Sequence, residues 1–174
     1  VKPTRVEISK KLDKRILNRF PFTLTSAQQR VLEEIQQDLT SPHPMNRLLQ
    51  GDVGSGKTVI ALYAILALVA NNKQAALMAP TEILAEQHFL TFRHWLAGSR
   101  VKFAMLSSSC TAKQRREILS ALKYGKLHFV IGTHALIQKD VQFKNLQLVI
   151  IDEQHKFGVL QRSALRTKEP AVDM

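Results

Sequence analysis

The chain has 174 residues and 45% hydrophobic content, which suits one globular domain with an ample core. Lys and Arg total 25 against 14 Asp and Glu, and the net charge of +11 favours a polyanionic partner, most simply nucleic acid, with a soluble enzyme bearing a basic face as the alternative. A single cysteine, Cys110, excludes a disulfide framework within the chain and fits a reducing cytoplasm, and the longest apolar run, Val59 to Ala70, is too short to span a bilayer.

Residues Val1 to Arg19 are strongly basic, with Lys2, Arg5, Lys10, Lys11, Lys14, Arg15 and Arg19 against Glu7 and Asp13. They read as a partly helical lead-in from a preceding domain, 1–19, and as a solvated face rather than a DNA contact. The domain proper is expected over 20–174. No signal-peptide pattern opens the chain, and with Val first and Met174 last it reads as a piece of a longer protein. Phe20 to Thr25 is a loop with a turn at Pro21, and Thr25 or Ser26 is a suitable N-cap. The helix that follows, Ala27 to about Leu39, has Val31, Leu32 and Ile35 at helical spacing. Ser41-Pro42-His43-Pro44 breaks the chain before a short strand at Arg47 to Gln50.

Gly51 to Thr58 reads GDVGSGKT and fits G-x-x-x-x-G-K-[ST], the phosphate-binding loop. Gly51, Gly54 and Gly56 lack a Cβ, so the backbone turns tightly and brings N–H groups onto phosphate oxygens. Asp52, Val53 and Ser55 fill the variable positions. Lys57 reaches the β- and γ-phosphates, and Thr58 offers its hydroxyl to Mg²⁺. Val59 to Ala70 is uniformly apolar, without Gly or Pro, and reads as a buried helix whose N-terminus directs its dipole at the phosphates.

An α/β alternation follows. Strands are expected at Gln74 to Met78, Val101 to Leu106, Leu127 to Ile131 and Gln147 to Ile151, and helices at Glu82 to Trp95 and Ala112 to Tyr124, the second ended by Gly125. The loops after such strands lie at the carboxyl edge of a parallel sheet, where open α/β sheets bind ligands. The last apolar strand runs into Asp152 and Glu153. Asp152 at its tip can hold the Mg²⁺ that Thr58 also binds, and Glu153 can polarise a water for attack on the γ-phosphate. With the loop upstream, this pair points to hydrolysis of a nucleoside triphosphate. His43, His88, His94, His128 and His134 do not pair with the cysteine at a zinc spacing and read as ordinary surface or helix histidines.

GDVGSGKT, Ala79-Pro80-Thr81-Glu82-Ile83-Leu84-Ala85-Glu86-Gln87-His88, Gly132-Thr133-His134-Ala135-Leu136 and Asp152-Glu153-Gln154-His155-Lys156-Phe157-Gly158-Val159 with Gln161-Arg162 together resemble the RecG family of bacterial ATP-dependent DNA helicases. Phe22 to Gln28 is similar to the family's adenine-reading segment. The resemblance implies a three-layer, RecA-like domain, a mostly parallel sheet flanked by helices, as the first of two motor domains. It implies ATP and Mg²⁺ as cofactors. Phe22 and Gln28 would contact the adenine, Gly51 to Thr58 the phosphates. Pro80, Thr81, Glu82, Gly132, Thr133 and His134 would lie along a DNA backbone. Thr81 and Thr133 suit phosphate-oxygen contacts, which carry no sequence information. Gln154 and His155 would couple nucleotide state to DNA and to a partner domain.

The implied partners are branched or duplex DNA, a second RecA-like domain and a wedge domain of the same full-length protein, with no membrane. The chain departs from the family at Lys156, where Arg is common, and a Lys loses the planar fork. Leu106 to Cys110 lacks an expected Gly, and no site is assigned there. The second motor domain, with its arginine finger, lies beyond the chain, so the chain alone is expected to be nearly inactive. A related transcription-repair coupling translocase and a catalytically silent nucleic-acid-binding module are the rival readings.

Overall fold

The computed structural model describes residues 6–20, 23–40, 47–50, 57–153 and 156–161. Phe22, the loop 51–56, Gln154, His155 and Arg162 lie outside the described residues. The helices are α1 Lys10–Leu17, α2 Ser26–Thr40, α3 Lys57–Ala70, α4 Glu82–Trp95 and α5 Ala112–Lys123. The strands are β1 Arg47–Gln50, β2 Gln74–Met78, β3 Phe103–Leu106, β4 Phe129–Gly132, β5 Leu146–Glu153 and β6 Lys156–Gln161, with a 3-10 turn at His134–Ile137. Among the described residues no helix is long and apolar enough to cross a membrane.

The sheet order is β1-β6-β5-β2-β4-β3. β5, β2, β4 and β3 are parallel, while β6 runs antiparallel to both β5 and β1. Side chains alternate between the two faces of a strand. Ala75, Leu77, Phe129, Ile131, Leu148 and Ile150 join one core with α1 to α4. Ala76, Met78, Val130 and Val149 join the other, with Leu122 of α5 and Leu136 of the 3-10 turn. Two buried faces require a sheet between two helical layers, the three-layer α/β arrangement expected from the sequence.

α3 has no polar stripe, and Val59 through Leu68 are all buried. A helix apolar all round has to be covered on every side. β2 and β5 cover one side, and α1 and α2 the other. α1 is capped by Ser9, whose hydroxyl accepts from Leu12 N–H. Lys10, Lys11, Lys14, Arg15 and Arg19 are exposed, in keeping with a solvated face. Val6, Ile16 and Phe20 on the opposite side belong to the same core as α3.

A polar node locks this layer. The Tyr63 hydroxyl of α3 donates to the Asp13 carboxylate of α1 and accepts from Gln36 Nε2 of α2, and Gln36 also donates to Asp13 at 2.8 Å. Burial, and then the hydrogen bond to Asp13, push the Tyr63 phenol well above its ordinary value, so it keeps its proton. Tyr63→Phe is expected to lower unfolding free energy by about 1–2 kcal/mol, because the Gln36–Asp13 bond survives. Urea unfolding measures it, and an unchanged midpoint would show that the node contributes nothing.

At the opposite edge of the sheet from the loops, Lys102 N–H donates to His128 Nδ1 at 2.8 Å and His128 N–H donates to the Lys102 carbonyl at 2.8 Å. Burial, and then the charge of Lys102, hold the imidazole below its ordinary value. Neutral His128 is the form that folding favours, so its contribution is complete above the ordinary imidazole value and declines as the pH falls below it. The thermal midpoint should drop between about pH 7.5 and about pH 5.5, and His128→Asn, which keeps an acceptor that does not titrate, should flatten that drop. Equal slopes for the two proteins would refute the assignment.

Candidate nucleotide and nucleic-acid site

Among the described residues, the sequence-derived candidates that follow or end β2, β4 and β5, namely 80–82, 132–134 and 152–153, fall at one edge of the sheet, whereas Gln28 lies at the start of α2. β1, β2, β3, β4 and β5 all run towards it. In register, Met78 of β2 is flanked by Gly132 of β4 and Ile151 of β5, and Gly132 in turn by Leu106 of β3. On the other side of β5, Glu153 pairs with Lys156 of β6, and Lys156 with Gln50 of β1. Gln50, the last residue before the glycine-rich loop, therefore ends level with the acidic pair, two strand spacings or about 10 Å away.

Lys57 opens α3 and Thr58, half-buried, is its second residue. The first turn of a helix leaves N–H groups without intrahelical acceptors and carries the positive end of its dipole. Six residues, 51–56, separate it in sequence from the end of β1. Asp152 shares the parity of Leu148 and Ile150, so its side chain emerges on the face that carries α3 and α4. Among the described residues it is one of few buried charged ones, at 8% exposure. β5 reaches Glu153, so the acidic pair belongs to the strand rather than to the loop after it.

His88, which the sequence suggested was an ordinary helix histidine, faces this carboxylate. Its Nε2 lies 2.7 Å from Asp152 Oδ2. His88 stands three residues beyond Ala85 and four before Phe92, both fully buried. That spacing puts it on the core stripe of α4, a signal readable from the sequence and missed there. Its ring also approaches Phe92, with centroids 6.2 Å apart.

The loop residues divide by what they do locally. Thr81 is the N-cap of α4, and its Oγ1 accepts from Leu84 N–H at 3.2 Å. Pro80, Thr81 and Glu82 are exposed. The Glu82 carboxylate accepts from Ser108 N–H at 2.7 Å, and the Ser108 hydrogen bonds hold it below the ordinary carboxyl value. Glu82 thus ties α4 to the loop after β3, the loop to which the sequence assigned no site. Thr133 precedes the 3-10 turn, and its side chain makes no capping hydrogen bond. Its hydroxyl is not committed to the helix end as that of Thr81 is. His134 is exposed. Gln28 and Thr25 form a capping box at the start of α2: Thr25 Oγ1 accepts from Gln28 N–H, and Gln28 Oε1 accepts from Thr25 N–H.

Gly132 is buried, and a Cβ there would lie 2.8 Å from the Leu106 carbonyl oxygen and 3.0 Å from Leu136 Cγ. The residue is held to Gly by the packing of β3 and the 3-10 turn. Gly132→Ala should destabilise the chain by about 1–3 kcal/mol. A thermal midpoint equal to the parent's would contradict this packing.

Among the described residues, no group of three or more His, Cys, Asp or Glu is arranged to hold a metal. Magnesium with phosphates does not need one, since it retains water and takes few protein oxygens. A hydroxyl at Thr58 and a buried carboxylate at Asp152 fit that donor set.

Residues 25–169 match the family model for DEAD/DEAH box helicases. The chain is 52% identical over 162 residues to the ATP-dependent DNA helicase RecG of Pasteurella multocida, covering 93% of this chain and 23% of that protein. It is 53% identical over 160 residues to the RecG of Bacillus subtilis, covering 92% and 24%. It is also similar to a RecG solved bound to a three-way DNA junction, with a TM-score of 0.80 and 49% identity over 87% of this chain and 21% of that one. The chain spans less than a quarter of the length of these relatives.

Proposed function

Since the chain belongs to the DEAD/DEAH box helicase family, we propose that it is the first RecA-like motor domain of an ATP-dependent DNA helicase that translocates on branched DNA in fork regression, recombination and repair. The observation that carries this reading is the shared sheet edge. There the end of β1, separated from α3 by six residues, lies level with the acidic end of β5 that carries buried Asp152, with the 80–82 and 132–134 loops beside it.

In this reading the backbone of Gly51, Asp52, Val53, Gly54, Ser55 and Gly56 cradles the phosphates, and Lys57 supplies a positive charge to them. Thr58 and Asp152 would hold magnesium, which when bound would neutralise phosphate charge. Glu153 accepts a proton from the attacking water. Gln28 spends its amide oxygen on the capping box, which leaves the amide NH₂ to donate to adenine, with Phe22 packing nearby. Pro80, Thr81, Glu82, Gly132, Thr133 and His134 shape the loops along the DNA backbone. Thr81 and Thr133 offer hydroxyls to phosphates, and Glu82 orders its neighbour loop. Gln154 and His155 relay nucleotide state to the DNA and the partner domain.

The remaining partners are a second RecA-like domain and a wedge domain of the full-length protein, with residues 1–19 leading in from the latter side. The setting is the cytoplasm, where the DNA is. An arginine finger from the second domain typically contributes about 10³–10⁵ in rate, so the chain alone should hydrolyse ATP at least about 10³-fold more slowly than the full-length enzyme with branched DNA. Titration calorimetry should show MgADP bound by the parent chain and at least about tenfold more weakly by Lys57→Ala. Equal affinities, or no binding to either, would favour a silent nucleic-acid-binding module instead.

A further inference from the structure

A carboxylate at the end of a strand can turn about two side-chain torsions, and only some of its orientations present an oxygen to a metal. Asp152 is not left to choose among them. His88 Nε2–H donates to Oδ2 at 2.7 Å, with side-chain exposures of only 12% and 10%. The bond occupies one oxygen, fixes the carboxylate plane and leaves Oδ1 as the oxygen for a cation. His88 is itself held: it sits mid-helix, between buried Ala85 and buried Phe92, and α4 is anchored at its start by the Thr81 cap. The donor therefore comes from a rigid element, not from a loop.

We propose that His88 is a positioning residue that orients Asp152 for magnesium. This rests on the reading above in which Asp152 holds the metal. A histidine that only fills space against Phe92 would contribute to stability and nothing more. One that orients a ligating carboxylate changes what the metal adds to nucleotide binding. Partners of this kind typically contribute about 10–100-fold in metal affinity.

The test uses the full-length helicase and a fluorescent ADP, with affinity measured in excess Mg²⁺ and in EDTA. The ratio of the two affinities is the magnesium increment. His88→Met keeps volume and flexibility without a donor. His88→Gln restores an N–H donor. Asp152→Asn removes the carboxylate. His88→Met should leave the EDTA affinity near the parent value and cut the increment by about tenfold, and His88→Gln should recover much of the loss. If Asp152→Asn loses the increment while His88→Met keeps it, His88 only packs and the proposal is overturned. If Asp152→Asn keeps the increment, Asp152 does not hold the metal, and the proposal falls together with that assignment. Thermal midpoints identify a variant that is lost to misfolding, in which case His88→Leu takes the place of His88→Met: a cut increment upholds the donor role, and a full one overturns it.

Discussion

A helix without a polar face cannot sit on the surface of a protein, and α3 is such a helix. Val59 to Leu68 are buried in succession, so every direction around the axis must be filled by another element. The sheet fills one half and α1 with α2 the other. The layering and the packing of Val6, Ile16 and Phe20 of the N-terminal segment along one side follow from this requirement. The first turn of a helix is held by the helix it begins, and this helix is enclosed from Val59 to Leu68.

The same logic explains why the candidate residues at the strand ends gather at one edge. Parallel strands buried on both faces leave only their ends accessible, and all carboxyl ends lie on one side. The register brings Met78, Gly132 and Ile151 level, so the loops after β2 and β4 and the acidic end of β5 are neighbours without any long-range device. Tight packing sets their shapes. Gly132 lets the chain pass under the Leu106 carbonyl, and Glu82 binds the loop that follows β3.

Much of this was legible in the sequence, for identifiable reasons. β2 and α4 match their expected bounds because a short apolar run and a Thr N-cap are strong local signals. Gly125 ends α5 as expected, with φ of +74°. β3 and β4 each begin two residues later than their apolar character suggested, since Val101, Lys102, Leu127 and His128 form the approach to the ladder rather than the ladder itself. β6 and its antiparallel pairing gave no period-two signal, because Lys156-Phe157-Gly158-Val159 is short and interrupted by Gly. The acidic pair was legible as the end of an apolar strand, but the partner of Asp152 was not. His88 is remote in sequence from Asp152, and the sheet order, which puts β5 beside β2, brings the two within hydrogen-bond distance.

The N-terminal segment is more than a cover. It is fastened to α3 at two separated points. Near the helix end, Glu7 N–H donates to Asn71 Oδ1 at 2.9 Å and Asn71 Nδ2 returns a bond to the Glu7 carbonyl at 3.0 Å. Midway, Asp13 meets Tyr63. A strap bonded to a stiff rod at two places moves with it as one body. The segment ahead of α1 is thereby tied, at two separated points, to the helix whose first residues are Lys57 and Thr58.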